Sequence, residues 1–152
     1  MNSTPRWLNE SEQRAWRAWI AASQLLLDRL SRDIHEQHGL TMADYEILVR
    51  LSESADHRVR MSDLADRTLA SRSRLSHQID RMEKRGFVLR EQCTDDKRGQ
   101  FAVLTETGWQ TLVTAAPDHV ESVRTHLVDV LSPAEFAALG VACEKILGGL
   151  NE

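Results

Sequence analysis

Residues 10–37 contain neither proline nor glycine, and their apolar side chains recur at helical spacing. A helix of this length extends about 40 Å, which is too long for so small a chain to bury along its whole length. The apolar side chains lie on two adjoining faces, at Trp16, Ile20, Leu27, Leu30 and Ile34 and at Ala15, Trp19, Ala22 and Leu26. The pattern predicts a first helix with a core on one face and a partner on the other. Gly39 is placed to end it in the left-handed conformation.

Three shorter helices are predicted in the next part of the chain. Thr41 and Asp44 have the spacing of a capping box at a helix start, and another helix begins near Ser62. A further helix begins after Ser71, a favoured N-cap residue, and ends at Gly86. The predicted inward side chains are Tyr45, Leu48 and Val49, then Leu64 and Ala65, then Leu75, Ile79 and Met82.

The apolar period then changes from that of a helix to that of a strand. Residues 87–92 and 100–105 alternate as two strands, and the polar segment CTDDKRG between them indicates a β-hairpin with a charged tip. Helical spacing returns from Trp109 to Leu127, and Pro117 is predicted to kink or split that helix. The last helix begins at the sequence SPAE, with Ser132 as N-cap and Glu135 completing a capping box. Its apolar face is predicted to contain Phe136, Leu139, Cys143, Ile146 and Leu147.

Basic residues are concentrated in the middle of the chain. Residues 58–98 hold eleven basic and seven acidic side chains, whereas the chain as a whole has a formal net charge of −4. A basic block within an acidic chain is typical of polyanion binding, although it also occurs on ordinary solvated surfaces.

A short helix, a turn, a basic helix and a hairpin, in this order, predict a winged helix-turn-helix. The outward face of the basic helix begins with small hydroxyls and two arginines and has no acid before Asp80, which suits the major groove of DNA. The hairpin tip offers Lys97 and Arg98 to the minor groove. The predicted DNA contacts on or beside the helix are Ser71, Arg72, Ser73, Arg74, Ser76, His77, Arg81 and Arg90, where Arg81 and Arg90 are either phosphate contacts or intramolecular partners.

Several classes of protein find no support in the sequence. No apolar stretch is long enough to span a membrane, and the charged N-terminus does not resemble a signal peptide, so we expect a cytoplasmic protein. Two cysteines fit a reducing compartment. The chain has no P-loop, nucleophile elbow or dinucleotide fingerprint, and we therefore expect neither an enzyme nor a cofactor.

Residues 60–108 resemble the core of the MarR (multiple antibiotic resistance regulator) family. DRMEKRGFV at 80–88 and DKRGQFAVLTETG at 96–108 are similar to two of its motifs, and LSPAEFAAL at 131–139 is similar to the opening of its last helix. The Trp-containing segment at 5–19 extends the first helix, as in some branches of the family. The resemblance implies one mainly α-helical domain over residues 1–152 with a small β-hairpin. In it a winged helix-turn-helix at about 41–105 is flanked by dimerisation helices at about 8–38 and 106–150.

The resemblance also implies a function, namely a homodimer that binds a near-palindromic operator and represses transcription until a small aromatic or anionic ligand releases it. Arg98 would then enter the minor groove, and Asp96 would hold it in position. The alternative is a winged-helix module that binds protein rather than DNA.

Other residues have less specific interpretations. Trp16, Trp19 and Tyr45 are candidates for a ligand pocket, but aromatic residues at helical spacing are more often core or dimer contacts. The pairs His35/His38 and His119/His126 have a spacing that a metal can use, although we expect no metal site, and a small metallohydrolase is the least favoured alternative. Cys93 is either a redox switch or, as neighbouring acids favour, a passive thiol.

Overall fold

The computed structural model describes residues 5–68, 70–94 and 99–150. Within them the chain forms two compact units, one containing residues 33–121 and the other the residues before 33 and after 121. The helices and strands are α1 (Glu10–His38), α2 (Met42–Ser52), β1 (Arg58–Arg60), α3 (Met61–Arg67), α4 (Arg72–Lys84), β2 (Val88–Gln92), β3 (Gln100–Leu104), α5 (Glu106–Val123) and α6 (Pro133–Leu150).

The ends of the helices follow the local signals in the sequence. The predicted capping box of α2 is present, with the Asp44 amide donating to Thr41 Oγ1 (3.0 Å) and the Thr41 amide donating to Asp44 Oδ2 (3.2 Å). Gly39 after α1 and Gly86 after α4 have φ angles of 63° and 75°, in the left-handed region that favours glycine. The Ser132–Glu135 capping box of α6 is also present. These predictions are confirmed. Each capping box joins residues three positions apart, and each glycine acts through its own backbone, so all of them can be recognised from local sequence.

Over the described ranges the sheet has three antiparallel strands in the order β1-β3-β2, one more than the predicted hairpin. Val59 in β1 lies opposite Ala102, and Arg90 in β2 lies opposite Ala102 from the other side. Strand β1 has only three residues, which is too short for an alternating pattern to be recognised in the sequence. The predicted second strand ends one residue early, because Thr105 accepts a hydrogen bond from the Gly108 amide (3.0 Å) at the start of α5.

One apolar core fills the unit of residues 33–121. All the predicted inward residues of α3 and α4 are buried, as are Tyr45 and Leu48 of α2, while Val49 is half-buried against them. The same core includes Val88 of β2, Ala102 of β3 and Leu112 of α5. Because α4 contributes Leu75, Ile79 and Met82 to this core, its opposite face is held towards solvent.

A close backbone contact joins the end of α4 to the start of α5. The Thr105 amide donates to the Phe87 carbonyl (3.1 Å), and Thr105 Oγ1 donates to the Gly86 carbonyl (2.6 Å). A Cβ atom on Gly108 would lie 2.1 Å from the Phe87 carbonyl oxygen, far inside any normal contact. Position 108 therefore requires glycine because there is no room for a Cβ atom, and not because of its backbone conformation.

The unit formed by the residues before 33 and after 121 has little buried apolar surface of its own. Leu30 of α1 is buried, but Trp16, Trp19 and Leu27 are exposed. No residue of α6 is buried, and its predicted apolar face remains accessible, with Phe136, Ile146 and Leu147 exposed.

Of the two outcomes predicted at Pro117, a kink or a split of the helix before α6, the split does not occur. Helix α5 continues through Pro117 to Val123, and the irregularity comes later, as a π-helical turn over Arg124–Val128. Proline removes the hydrogen bond to the carbonyl four residues earlier, at Val113. The Val113 side chain is about half exposed, so this turn of the helix lies at the surface.

No single helix among the described residues is long and apolar enough to cross a membrane. Residues 106–128 and 133–150 meet that criterion only when taken together, and they are bent by 99° at the break between them.

Candidate nucleic-acid interface

The outward face of α4 is a polar and basic surface. Ser71, Arg72, Ser73, Arg74 and His77 are exposed, and Ser76 is half-buried. Ser71 is the N-cap, and its hydroxyl accepts a hydrogen bond from the Arg74 amide (3.2 Å). These six residues and Arg81, all predicted to contact DNA, therefore lie on or beside one continuous surface that begins at the first turn of α4.

No carboxylate among the described residues neutralises the arginines of this surface. Arg72, Arg74 and Arg81 form no ion pair with a carboxylate in the described part of the chain, whereas His77 Nδ1 lies 3.9 Å from Asp80 Oδ2. Unpaired guanidinium groups at the start of a helix can form bidentate bonds with guanine or with phosphate. The charge of the helix is thus available to a polyanion.

Arg90 is occupied within the protein. Its guanidinium contacts the carboxylates of Asp80 (2.7 Å) and Glu83 and donates to the Ser76 carbonyl (3.0 Å). Its own amide donates to Glu83 Oε1 (2.9 Å). Of the two roles predicted for Arg90, these bonds favour that of an intramolecular partner, which ties strand β2 to α4.

The tip of the hairpin, with the predicted contacts Asp96, Lys97 and Arg98, lies outside the described residues. At its base, the Cys93 amide donates to the Gly99 carbonyl (2.9 Å) and the Cys93 side chain is buried, at 4% exposure. A buried thiol has little access to oxidants, which favours the passive role predicted for Cys93.

A second basic feature, which the sequence analysis did not identify as a site, lies next to the start of α4. Arg58 and Arg60 alternate with the buried Val59 in β1, and their guanidinium carbons lie 4.0 Å and 5.5 Å from the ring centre of Phe101. Arg60, but not Arg58, lines a crevice of 360 Å³, together with Met61, Ser62, Arg72, Ser76, Gly99 and Gln100. The only signal in the sequence was the short alternation RVR, which was counted as charge alone.

Comparison with known proteins identifies the architecture. Residues 40–99 match the MarR family. The structure superposes with a TM-score of 0.93 on AbsC, a MarR family transcriptional regulator from Streptomyces coelicolor, at 51% sequence identity over 97% of this chain and 99% of that one. This chain belongs to the MarR family.

Two further comparisons agree with this assignment. Sco3205, a MarR family transcriptional regulator from Streptomyces coelicolor whose structure was solved in complex with DNA, is 44% identical over 96% of this chain and 92% of that one, with a TM-score of 0.94. The transcriptional regulator MhqR of Bacillus subtilis is 27% identical over 82% of this chain and 81% of its own length. The predicted winged-helix fold and the family resemblance are confirmed, and MarR proteins are transcription regulators rather than enzymes.

The aromatic candidates for an effector site differ in burial. Trp16 and Trp19 are exposed on α1, whereas Tyr45 is 8% exposed and packs against His119, with ring centres 4.5 Å apart. Burial raises the pKa of Tyr45 and lowers the pKa of His119 from their ordinary values. His119 Nδ1 is buried and has no hydrogen-bond partner within the described residues.

The histidine pairs do not form a metal centre in the described part of the chain. His38 Nε2 bonds Asp118 Oδ2 at 2.9 Å, and His35 is exposed near the end of α1. No group of three or more His, Cys, Asp or Glu side chains there has an arrangement that could hold a metal ion. A single His–Asp pair has too few ligands for a zinc site.

Proposed function

We propose that this MarR-family regulator is a homodimer that binds a near-palindromic DNA operator in the cytoplasm and represses transcription until a small aromatic or anionic ligand releases it. The observation that carries the proposal is the exposed face of α4, where Arg72 and Arg74 pair with no carboxylate of the described residues, while the opposite face packs into the core. A helix braced in this way can enter the major groove with its first turns against the base edges.

Individual roles follow from position. Arg74, in the first turn of α4, contacts bases, while the other residues of this face contact bases or phosphates, namely Ser71, Arg72, Ser73, Ser76 and His77. Arg81, further along the same face, contacts phosphate. By resemblance to the family, Arg98 enters the minor groove and Asp96 positions it, and Lys97 beside Arg98 is offered to the same groove. Arg90 acts indirectly, by holding the hairpin against α4.

The exposed apolar side chains of α1 and α6 support the homodimer. Trp16 and Leu27 on α1 and Ile146 and Leu147 on α6 are each more than half exposed in the single chain. Extensive apolar exposure of this kind is typical of an interface between subunits. Two-fold symmetry of the dimer then requires two-fold symmetry of the operator.

The proposed effector is a small aromatic or anionic ligand, and the candidate contacts are the aromatic side chains of Trp16, Trp19 and Tyr45. Aromatic side chains recognise flat ligands by stacking, and a ligand that binds the DNA-free form better must weaken DNA binding by the same factor. An effector of this class should quench tryptophan fluorescence and release DNA together. A ligand that binds without changing the affinity for DNA would contradict the repressor part of the proposal.

The test of DNA recognition begins with selection of bound fragments from the source genome. On the selected operator, Arg74→Ala should cost about 1–3 kcal/mol, and on random duplex much less, because only a base contact distinguishes the two. Arg98→Ala, measured at the same salt, should weaken both. If wild type prefers no fragment, or if neither variant changes binding, α4 is not a DNA-binding element and the alternative of a protein-binding module gains support.

A further inference from the structure

We propose that the crevice between β1, α3 and the start of α4 binds a phosphodiester of the DNA backbone, with Arg60 as its principal ligand. The inference rests on the proposed function and adds a contact outside α4 and the hairpin tip. It concerns the backbone and not the bases, so that Arg60 contributes to affinity without contributing to sequence preference.

The position of the crevice suits the backbone that flanks a groove-bound helix. Its lining includes Arg72 and Ser76 of α4 together with Arg60 and Ser62 at the start of α3. In a helix-turn-helix the first helix crosses the sugar–phosphate backbone while the second enters the groove. Any duplex that contacts the first turn of α4 therefore brings a phosphate close to the mouth of this crevice.

The charges of the crevice favour an anion. Arg60 and Arg72 both line it, and neither pairs with a carboxylate among the residues that the structure describes. Arg60 is half-buried beside the ring of Phe101, so part of its side-chain entropy is already lost before DNA arrives. A partly fixed guanidinium offers two parallel donors to phosphate at a low ordering cost.

Hydrogen-bond donors beside the two arginines complete the set. Ser76 Oγ accepts a bond from Arg90 (3.3 Å), so the single hydrogen of that hydroxyl can be donated to an oxygen entering the crevice. The Ser62 hydroxyl, in contrast, donates to the Asp63 carboxylate (3.0 Å) and is already used. Arg60, Arg72 and Ser76 are therefore the donors that a phosphate would meet.

Arg58 provides a matched control on the same strand. It lies two residues from Arg60, stacks on the same Phe101 ring, and pairs with Glu91 at 3.4 Å instead of lining the crevice. Replacing either arginine removes one positive charge from nearly the same place. A difference between the two variants therefore measures a local contact and not the general field of the protein.

The experiment measures affinity for the selected operator and for random duplex at several salt concentrations, using wild type, Arg60→Gln, Arg60→Lys and Arg58→Gln. Each phosphate contact contributes about 0.9 to the slope of log K against log salt, so Arg60→Gln should lower the slope of a dimer by about 2. Its affinity should fall by the same factor on both duplexes. Arg58→Gln should retain the wild-type slope, and so should Arg60→Lys, because lysine keeps the positive charge.

A second measurement identifies the phosphate itself. Neutral methylphosphonates are placed one at a time along each half-site, and the loss of affinity is compared between proteins. At one position the methylphosphonate should lower the affinity of wild type and of Arg58→Gln. At the same position it should leave the affinity of Arg60→Gln unchanged, because that variant no longer has the contact.

Three results would overturn these claims in distinguishable ways. If wild type binds DNA but Arg60→Gln has the same salt slope as wild type, the inference alone is overturned. The inference alone is also overturned if every methylphosphonate lowers the affinity of Arg60→Gln as much as that of wild type. A wild type that binds no DNA would overturn the proposed function as well. Unfolding curves report whether each variant is folded, and the Arg60 side chain makes no capping bond to α3 whose loss would confuse the result.

Discussion

Replacing Gly108 by alanine should strongly destabilise the protein, although alanine is the better helix former. An ideal Cβ at this position lies 2.1 Å from the Phe87 carbonyl oxygen and 2.8 Å from Leu104 Cδ1. Normal contacts are about 3.5 Å, so the start of α5 or the backbone at Phe87 must move by more than about 1 Å.

The magnitude follows from three contributions. Overpacking at a tight contact costs about 1–3 kcal/mol. The required movement also strains the bonds that Thr105 makes to the Gly86 and Phe87 carbonyls, each worth about 0.5–1.5 kcal/mol. Alanine recovers about 1 kcal/mol of helix propensity. The net loss should be about 3 kcal/mol, which for a chain of this size lowers Tm by about 6–12 °C.

The assay is thermal and urea unfolding followed by circular dichroism at a fixed protein concentration. Gly140→Ala is the matched control, because Gly140 is also helical but a Cβ there meets nothing within 4 Å in the single chain. That variant should unfold at or slightly above the wild-type temperature. If Gly108→Ala melts within about 1 °C of wild type, the backbone contact at Phe87 does not constrain this position and the argument from space is wrong.

Three other outcomes can be measured on the same preparations. Arg90→Ala should lower the free energy of unfolding by about 2 kcal/mol, because it removes charged hydrogen bonds from a half-buried site, whereas Arg58→Ala, whose ion pair is exposed, should change it by less than about 0.5 kcal/mol. Burial lowers the pKa of His119 below its value of 6.5 in the unfolded chain, so its contribution to stability is intact above pH 6.5 and is lost as the pH falls below it. As the pH falls from 7.5 to 5.5, the free energy of unfolding of His119→Gln should therefore rise relative to that of wild type. A difference between the two that does not change with pH would contradict this. Light scattering at micromolar concentration should give the mass of a dimer, and a monomeric mass would contradict the interface proposed for α1 and α6.

The parts of the fold that depend on neighbouring residues could be predicted from the sequence. The capping boxes at Thr41 and Ser132, the glycine at position 86 and the inward residues of α4 are all local patterns, because each needs only three or four residues to be recognised. Strand β1 is different, since three residues become a strand only by pairing with β3 more than forty positions later. No local pattern contains that information.

The same distinction applies to the candidate interface. The basic outward face of α4 could be predicted because helical geometry alone decides which of its residues face away from the core. The role of Arg90 could not be decided, because its partners Asp80 and Glu83 reach it only after β2 folds back on α4. Arg60 was missed as a site residue for a related reason, since the crevice that it lines is formed by residues from separate elements.

One face of α4 packs into the core and the other is exposed, so the two faces can vary independently. The helix is held in place by Leu75, Ile79 and Met82 and by the carboxylates that pair with Arg90. The exposed residues of the other face take no part in that packing, namely Arg72, Ser73, Arg74 and His77. Surface substitutions of this kind usually alter stability by less than about 0.5 kcal/mol. Substitutions on the outer face can therefore change the surface that α4 presents to a partner while the fold beneath stays the same.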